Sequence, residues 1–383
     1  MEEAPRNTKD CEHLPRPQRI VGPLAKTTMD CGVPQSAPVQ HGTAHDMLFT
    51  GRSLAHMRRC ILGMAVPFLF LLLTALGCER RTSEKPAGPG PLRRLTLALN
   101  WVAEPEFGGF YAARESGDYR ERGIAVEFLG GSTRLPVLQM VASGQVDLGI
   151  VEGDELLIGR AHGLDIVPIF AVFQTNPKAI MTHASRGAKE LKDILTSGTL
   201  ALYSGMTMTT FLKKRFGWQG VQVVHHDGGI ARFLPDKMYS QVCFATAEPL
   251  QAKAAGTETT TFLISDYGFN PYSGVIAVQK KRFDQSPDLF RAFIKASRKG
   301  WERYLADPAA ANAIMAKQNT AMAPSFFATV AAAQKPYIAT AEVAERGIGT
   351  MTRERWDKVA RQLVELGVVE QSAKVDEFLL PID

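Results

Sequence analysis

Carboxylates, aromatics and glycines recur at short spacing in five loops of this chain. Their types suit recognition of a small polar molecule. The first loop reads Asn100-Trp101-Val102-Ala103-Glu104-Pro105-Glu106-Phe107-Gly108-Gly109-Phe110-Tyr111. Trp101 and Tyr111 can offer aromatic faces, and Glu104 and Glu106 can accept from N–H groups. Gly108 and Gly109 open a helix whose first backbone N–H groups have no partner inside it. Gly130, Gly131 and Ser132, followed by Thr133 and Arg134, bring hydroxyls and N–H groups that could hold a phosphate or carboxylate. In Glu152-Gly153-Asp154, Asp154 suits a helix N-cap, which leaves Glu152 free to contact a ligand. Later come Tyr203, Gly205 and Thr207, then Glu248. Tyr272 closes the series beside an extended stretch.

These residues do not make a catalytic constellation. No Gly-x-Ser-x-Gly, phosphate-binding loop, dinucleotide fingerprint or paired Cys/His is present. No catalytic residue, metal or cofactor is therefore assigned. His225 and His226 are adjacent, and neighbours on a strand point to opposite faces. They do not make a metal pair. The acids Glu104, Glu106, Glu152, Asp154 and Glu248 stand against Arg134 alone. That excess repels small anions and suits an amino-substituted or cationic ligand.

The elements that must position these loops alternate. Leu95, Leu97 and Leu99 alternate with Thr96 and Ala98, a period-two strand. A helix over 109–115, a strand over 124–129, a helix over 136–142, a strand over 146–151, a helix over 154–161 and a strand over 166–172 follow. This predicts a mostly parallel α/β sheet. The pattern restarts with a helix over 188–195, a strand over 199–203 and a helix over 207–216. It continues through 221–225, 231–239, 242–245, 249–255 and 261–264. Two α/β units in about 300 residues predict two lobes. The apolar stretches 179–182 and 273–278 are expected to be crossover strands between them. The C-terminal part is mainly helical (287–305, 308–317, 324–334, 353–366), with an extended tail over 375–380. In open α/β sheets, ligands bind beyond the carboxyl ends of strands, where these loops fall.

The N-terminal part is different. Residues 1–56 are rich in Pro, Gly, Thr and His, and are expected to be a disordered or misassigned extension. Met57-Arg58-Arg59 then precedes an apolar run from Ile61 to Leu76, shorter than the ~20 residues of a membrane span. It ends in Ala75-Leu76-Gly77-Cys78. Two arginines, an apolar core and small residues before a cysteine predict a lipoprotein signal over 57–77, with Cys78 lipidated. Residues 78–93 form a Pro- and Gly-containing tether. Cys243 then has no partner and is read as a small buried residue. The net charge of +5 is modest, and no basic run interleaved with aromatics marks a nucleic-acid groove.

Four stretches together resemble a known family: Leu99-Asn100-Trp101 through Phe110-Tyr111-Ala112-Ala113, the run Ser143-Gly144-Gln145-Val146-Asp147-Leu148-Gly149, Gly153-Asp154-Glu155, and Thr246-Ala247-Glu248-Pro249. From about Leu95 onward, the chain is similar to solute-binding proteins for thiamine-pyrimidine precursors, nitrate, sulfonates and taurine. The resemblance implies a two-lobed type II periplasmic-binding fold with two crossover hinge strands. Lobe I would span 94–180 and 274–383, and lobe II 181–273. It implies a monomer on the periplasmic face of a bacterial membrane, delivering a small molecule to an ABC permease and ATPase complex. A pyrimidine or similar heterocycle stacked on Trp101 is the expected ligand. Two alternatives stay open. One is a pyrimidine-biosynthesis enzyme on the same fold, whose branch carries a cysteine-rich motif absent here. The other is a ligand-sensing scaffold lipoprotein.

Overall fold

The computed structural model describes residues 91–131, 135–218 and 220–381. The N-terminal extension, the proposed signal segment, Cys78 and the tether up to residue 90 lie outside the described residues, as do Ser132, Thr133 and Arg134. No helix among the described residues is long and apolar enough to cross a membrane.

Ten strands are present among the described residues: β1 Arg93–Ala98, β2 Ile124–Leu129, β3 Leu148–Val151, β4 Ile166–Phe173, β5 Lys178–His183, β6 Thr199–Leu202, β7 Gln222–His225, β8 Tyr239–Phe244, β9 Thr259–Leu263 and β10 Ser273–Gln279. The α-helices are α1 Gly108–Glu115, α2 Val137–Ser143, α3 Gly153–Ala161, α4 Thr207–Phe216, α5 Glu248–Ala254, α6 Lys280–Gln285, α7 Pro287–Ala306, α8 Ala309–Gln318, α9 Pro324–Ile338, α10 Ala341–Arg346 and α11 Arg353–Glu365.

The strands form two five-stranded sheets, ordered β2-β1-β3-β10-β4 and β7-β6-β8-β5-β9. Each sheet centres one lobe, and the two share one plan. In the first, β1 runs parallel to β2 and β3, while β10 is antiparallel to β3 and β4. In the second, β6 runs parallel to β7 and β8, while β5 is antiparallel to β8 and β9. The expected mostly parallel sheet is therefore corrected to a mixed one. The reason is the connectivity: in each sheet the antiparallel strand is the one that arrives from the other lobe.

The same connectivity corrects the crossover strands. The stretches 179–182 and 273–278 belong to β5 and β10, each wholly inside one sheet. The chain crosses instead through residues 174–177 and 264–272. Apolar composition misled here because an interior strand covered on both faces is apolar along its whole length. β4 stands at the edge of its sheet, yet it too is buried at every residue.

Two expected helices are also absent. Over 188–195 only the short 3-10 turn Leu191–Leu195 forms. The Asp193 carboxylate takes the N–H groups of Lys189 and Glu190 at 2.8 and 2.9 Å, a local bond that competes with a helical ladder. Over 231–239 the chain makes turns, and Tyr239 already starts β8. Pro235 lies inside that stretch and cannot extend a ladder. The tail expected to be extended contains the 3-10 turn Val375–Glu377.

The first lobe is held by α1 lying on α7. Phe110 stacks on Phe293 and meets Trp301 edge-on, at centroid separations of 6.4 and 5.7 Å. Gly108, Gly109 and Gly300 let the two helices approach. A Cβ on Gly108 would overlap the Tyr304 ring, one on Gly109 the Trp301 indole, and one on Gly300 the Gly109 carbonyl. α1 begins directly after the 104–107 turn, so this contact fixes where Glu104 and Glu106 stand.

Candidate functional site

Equivalent strands of the two lobes end in equivalent groups. Trp101 follows the carboxyl end of β1, and Tyr203 follows that of β6. Glu152 follows β3, and Glu248 follows β8. Trp101 and Tyr203 are both half-buried. The Trp101 indole N–H donates to Glu104 Oε1 at 3.3 Å, and Asn319 Nδ2 donates to the same oxygen at 3.3 Å. Tyr203 stacks on His226 with centroids 4.8 Å apart. Glu248 stands at the first residue of α5, where Phe244 N–H donates to its Oε2 at 2.8 Å.

The carboxylates feel one another across the lobes. Burial pushes Glu104 up from 4.5 to about 7, with Glu248 adding, and the bonds from Trp101 and Asn319 opposing. Glu106 is pushed well above the carboxylate range by burial, then by Glu104, Glu152 and Glu248, with Lys178 opposing. Burial raises Glu248 as well. A carboxyl that keeps its proton can both donate and accept hydrogen bonds, the pairing an amino-substituted ring offers along one edge.

Lys178, at the start of β5, supplies the balancing charge. Its Nζ lies 3.1 Å from Glu152 Oε2, and both side chains are mostly buried. Burial pulls the ammonium down, but Glu152 and Asp154 lift it more, so it stays protonated. Ser273 Oγ donates to Glu152 Oε1 at 3.1 Å. Beside this pair lies a cavity of about 240 Å³, lined from lobe I by α3, from lobe II by 204–208 and by residues of both crossings. Glu152, Gly205 and Thr207 are among the residues that line it.

Other expected site residues are placed elsewhere. Gly108 and Gly109 serve the α1–α7 contact, and the Gly108 N–H is already spent on Pro105 O. Tyr111 is buried; its hydroxyl donates to Gln318 Oε1 at 2.6 Å, and its ring meets Phe128. Tyr272 turns away from the cleft. Its hydroxyl accepts from Thr352 N–H at 2.9 Å, and its ring packs on Trp356. Gly131 lies against the carbonyls of Leu99 and Trp101, where any side chain would overlap them, while Gly130 is exposed. Asp154 is not the cap of α3: Glu152 is, with Glu155 reaching back to the Glu152 N–H at 3.5 Å. Phe110 is core.

Lys178, Asn176, Met206, Met208 and Phe269 were not anticipated. A lysine opening an otherwise apolar strand was the available signal for the first. Among the described residues no group of three His, Cys, Asp or Glu side chains can hold a metal ion. Of the described histidines, His162 and His225 are exposed, His183 is buried against Phe233, and His226 is buried under Tyr203. None lines the cavity. Cys243 is buried, as expected, and burial raises its thiol well above the ordinary range.

The raised Glu104 gives a pH signature. A carboxyl at about 7 in the fold and 4.5 in the unfolded chain holds a proton that unfolding releases between those values. Its contribution to stability is present at pH 4.5 and is lost as pH rises to 7. Each tenfold gain in proton affinity on folding is worth about 1.4 kcal/mol. Glu104→Gln, which keeps an acceptor for Trp101, should therefore unfold with a smaller loss between pH 5 and 7.5 than the parent. Urea titrations at both values measure this, and equal losses would contradict it.

The NMT1/THI5 like family model matches residues 104–311. The riboflavin-binding protein RibY of Chloroflexus aurantiacus is 27% identical over 260 residues, 63% of this chain and 73% of that protein. The 4-amino-5-hydroxymethyl-2-methylpyrimidine phosphate synthase of Legionella pneumophila is 19% identical over 300 residues, 74% of this chain and 90% of the synthase. Among solved structures, the periplasmic aliphatic sulphonate binding protein SsuA of Escherichia coli superposes with a TM-score of 0.57 at 13% identity. The match covers 74% of this chain and 91% of that one. It establishes a periplasmic-binding-protein fold.

Proposed function

Because the chain belongs to the NMT1/THI5 like family, we propose that it is the solute-binding component of an ABC importer and captures a nitrogen heterocycle between its lobes. The observation that carries this is the matched pair of half-buried rings and raised carboxyls: Trp101 with Glu104 from one lobe, Tyr203 with Glu248 from the other. A planar ring can stack on Trp101 and Tyr203 while its N–H edge meets Glu104, Glu106 and Glu248. A thiamine-precursor pyrimidine fits that chemistry. RibY, named for riboflavin, is a relative whose ligand is also a nitrogen heterocycle. Sulfonate capture is disfavoured, because Lys178, the one basic side chain lining the cavity among the described residues, is already paired with Glu152.

One of the relatives is named as a synthase. Transport is favoured over synthesis here because the cysteine-rich motif of the enzyme branch is absent from this sequence. Cys78 would carry the lipid that holds the protein at the periplasmic face as a monomer, with the residues between it and β1 as a tether that lets the lobes reach the permease and ATPase complex.

The reading is tested by incubating the protein with aminopyrimidines, riboflavin, taurine, alkanesulfonates and nitrate, then analysing what is retained. One heterocycle, bound one to one and released unchanged, is the expected result. Conversion of the ligand would favour the synthase, and tight sulfonate or nitrate binding would overturn the ligand class.

A further inference from the structure

The cavity beside Lys178 has a lining that ring capture does not use. Asp154 lines it, is only 9% exposed, and its Oδ1 is buried with no hydrogen-bond partner. Lys178 makes its ion pair with Glu152 Oε2 at 3.1 Å, and no hydrogen bond joins it to Asp154. A buried acceptor without a donor is costly to a fold, so a group kept in this state invites a donor from a ligand. The remaining walls are largely apolar, with Ile158, Met206, Met208, Ile264, Phe269 and Pro271. An anion at the start of α4 would meet Glu152 and Asp154 across the cavity, two acids against one lysine. A bare metal ion would find no set of three ligating side chains among the described residues. A quaternary ammonium would satisfy the charge but bring no N–H to Asp154.

The geometry points to a second subsite, at Asp154, for a protonated primary or secondary amine carried on an apolar body. This rests on the solute-capture reading and extends it: the captured solute bears an alkylammonium arm that lies in this cavity while its ring lies at Trp101. Asp154 sets specificity through a charged hydrogen bond, and Met206, Met208 and Phe269 cover the carbon body of the arm.

The test is calorimetric titration of the full chain at pH 7 with benzylamine, benzyl alcohol and benzyltrimethylammonium as probes. Benzylamine should bind at least about tenfold more tightly than the other two, and Asp154→Asn should remove about tenfold or more of its affinity. Equal binding of the alcohol or the quaternary ion, or an unchanged affinity in folded Asp154→Asn, would overturn the proposal. Should Asp154→Asn fail to fold, Ile158→Trp, which fills the cavity from α3, replaces it. Unchanged benzylamine affinity there overturns the proposal equally. Retention of a heterocycle without benzylamine binding would sink this subsite alone. Asp154-dependent benzylamine binding without any retained heterocycle would keep the subsite and sink the ring reading.

Discussion

Gly300→Val should leave a protein that does not fold stably. Gly300 lies in α7, where a Cβ would overlap the Gly109 carbonyl, the Ala113 Cβ and the Ala113 nitrogen of α1. Two of those atoms are backbone, so no side chain can swing aside and the helices must part. Replacing a mid-helix glycine gains about 1 kcal/mol of helix propensity with alanine and less with a β-branched residue. Overpacking a well-filled contact costs about 1–3 kcal/mol or more. The overlap here is with backbone, and it also displaces Trp301 and Phe110 from their edge-on contact. The net loss should exceed about 3 kcal/mol for valine and be smaller for alanine. Urea unfolding of both variants measures it. A Gly300→Val protein within about 1 kcal/mol of the parent would contradict the close approach of α1 and α7.

Arg355→Met should cost nearly as much, for a different reason. The Arg355 guanidinium, on α11, donates to both crossings. Nε reaches Asn270 O at 2.9 Å, one terminal nitrogen reaches Asn270 Oδ1 at 3.0 Å, and the other bonds Gln174 O. It also lies 3.9 Å from the centre of the Tyr272 ring. Asn176 ties the two crossings to each other through Asn270 Oδ1 and Pro271 O. Burial lowers the affinity of this guanidinium for its proton, with Tyr272 and Glu342 opposing. Methionine keeps much of the bulk but leaves buried carbonyls without donors, at about 1–3 kcal/mol each. A loss of about 3 kcal/mol is expected. Lysine should fall between, because a point ammonium cannot reproduce the fork. Unfolding titrations of the three proteins decide it. A methionine variant as stable as the parent would show that Arg355 does not hold the crossings.

How much of this was legible in the sequence varies by the physics involved. The strands around Leu95, Ile124 and Ile166 were legible because burial writes a plain apolar pattern. That Trp101, Glu104, Tyr203 and Glu248 fall beyond the carboxyl ends of parallel strands was legible too, because the strands before them read plainly. Partner choice was not legible. Glu152 takes the capping role expected of Asp154, because α3 starts one residue earlier than the spacing suggested. Gly108 and Gly109 looked like a ligand-binding turn, yet what demands them is Tyr304 and Trp301, far along the chain. Tyr272 was expected at the cleft, and only the fold shows that Thr352 and Trp356 claim it. Lys178 and Phe269 belong to no local motif; the crossings bring them to the cavity. The shared plan of the two sheets left no repeat in the sequence, because strand order is fixed by pairing and not by residue identity.

A heterocycle held on Trp101 should come off the protein unchanged. Equilibrium dialysis of the parent and Trp101→Ala proteins against the best ligand of the panel, with mass analysis of both compartments, measures this. One ligand per chain, recovered intact, is expected. The variant's affinity should be about 5- to 150-fold weaker, the worth of one aromatic stacking contact at ~1–3 kcal/mol. Ligand recovered as a different compound, or equal affinity in the two proteins, would contradict it.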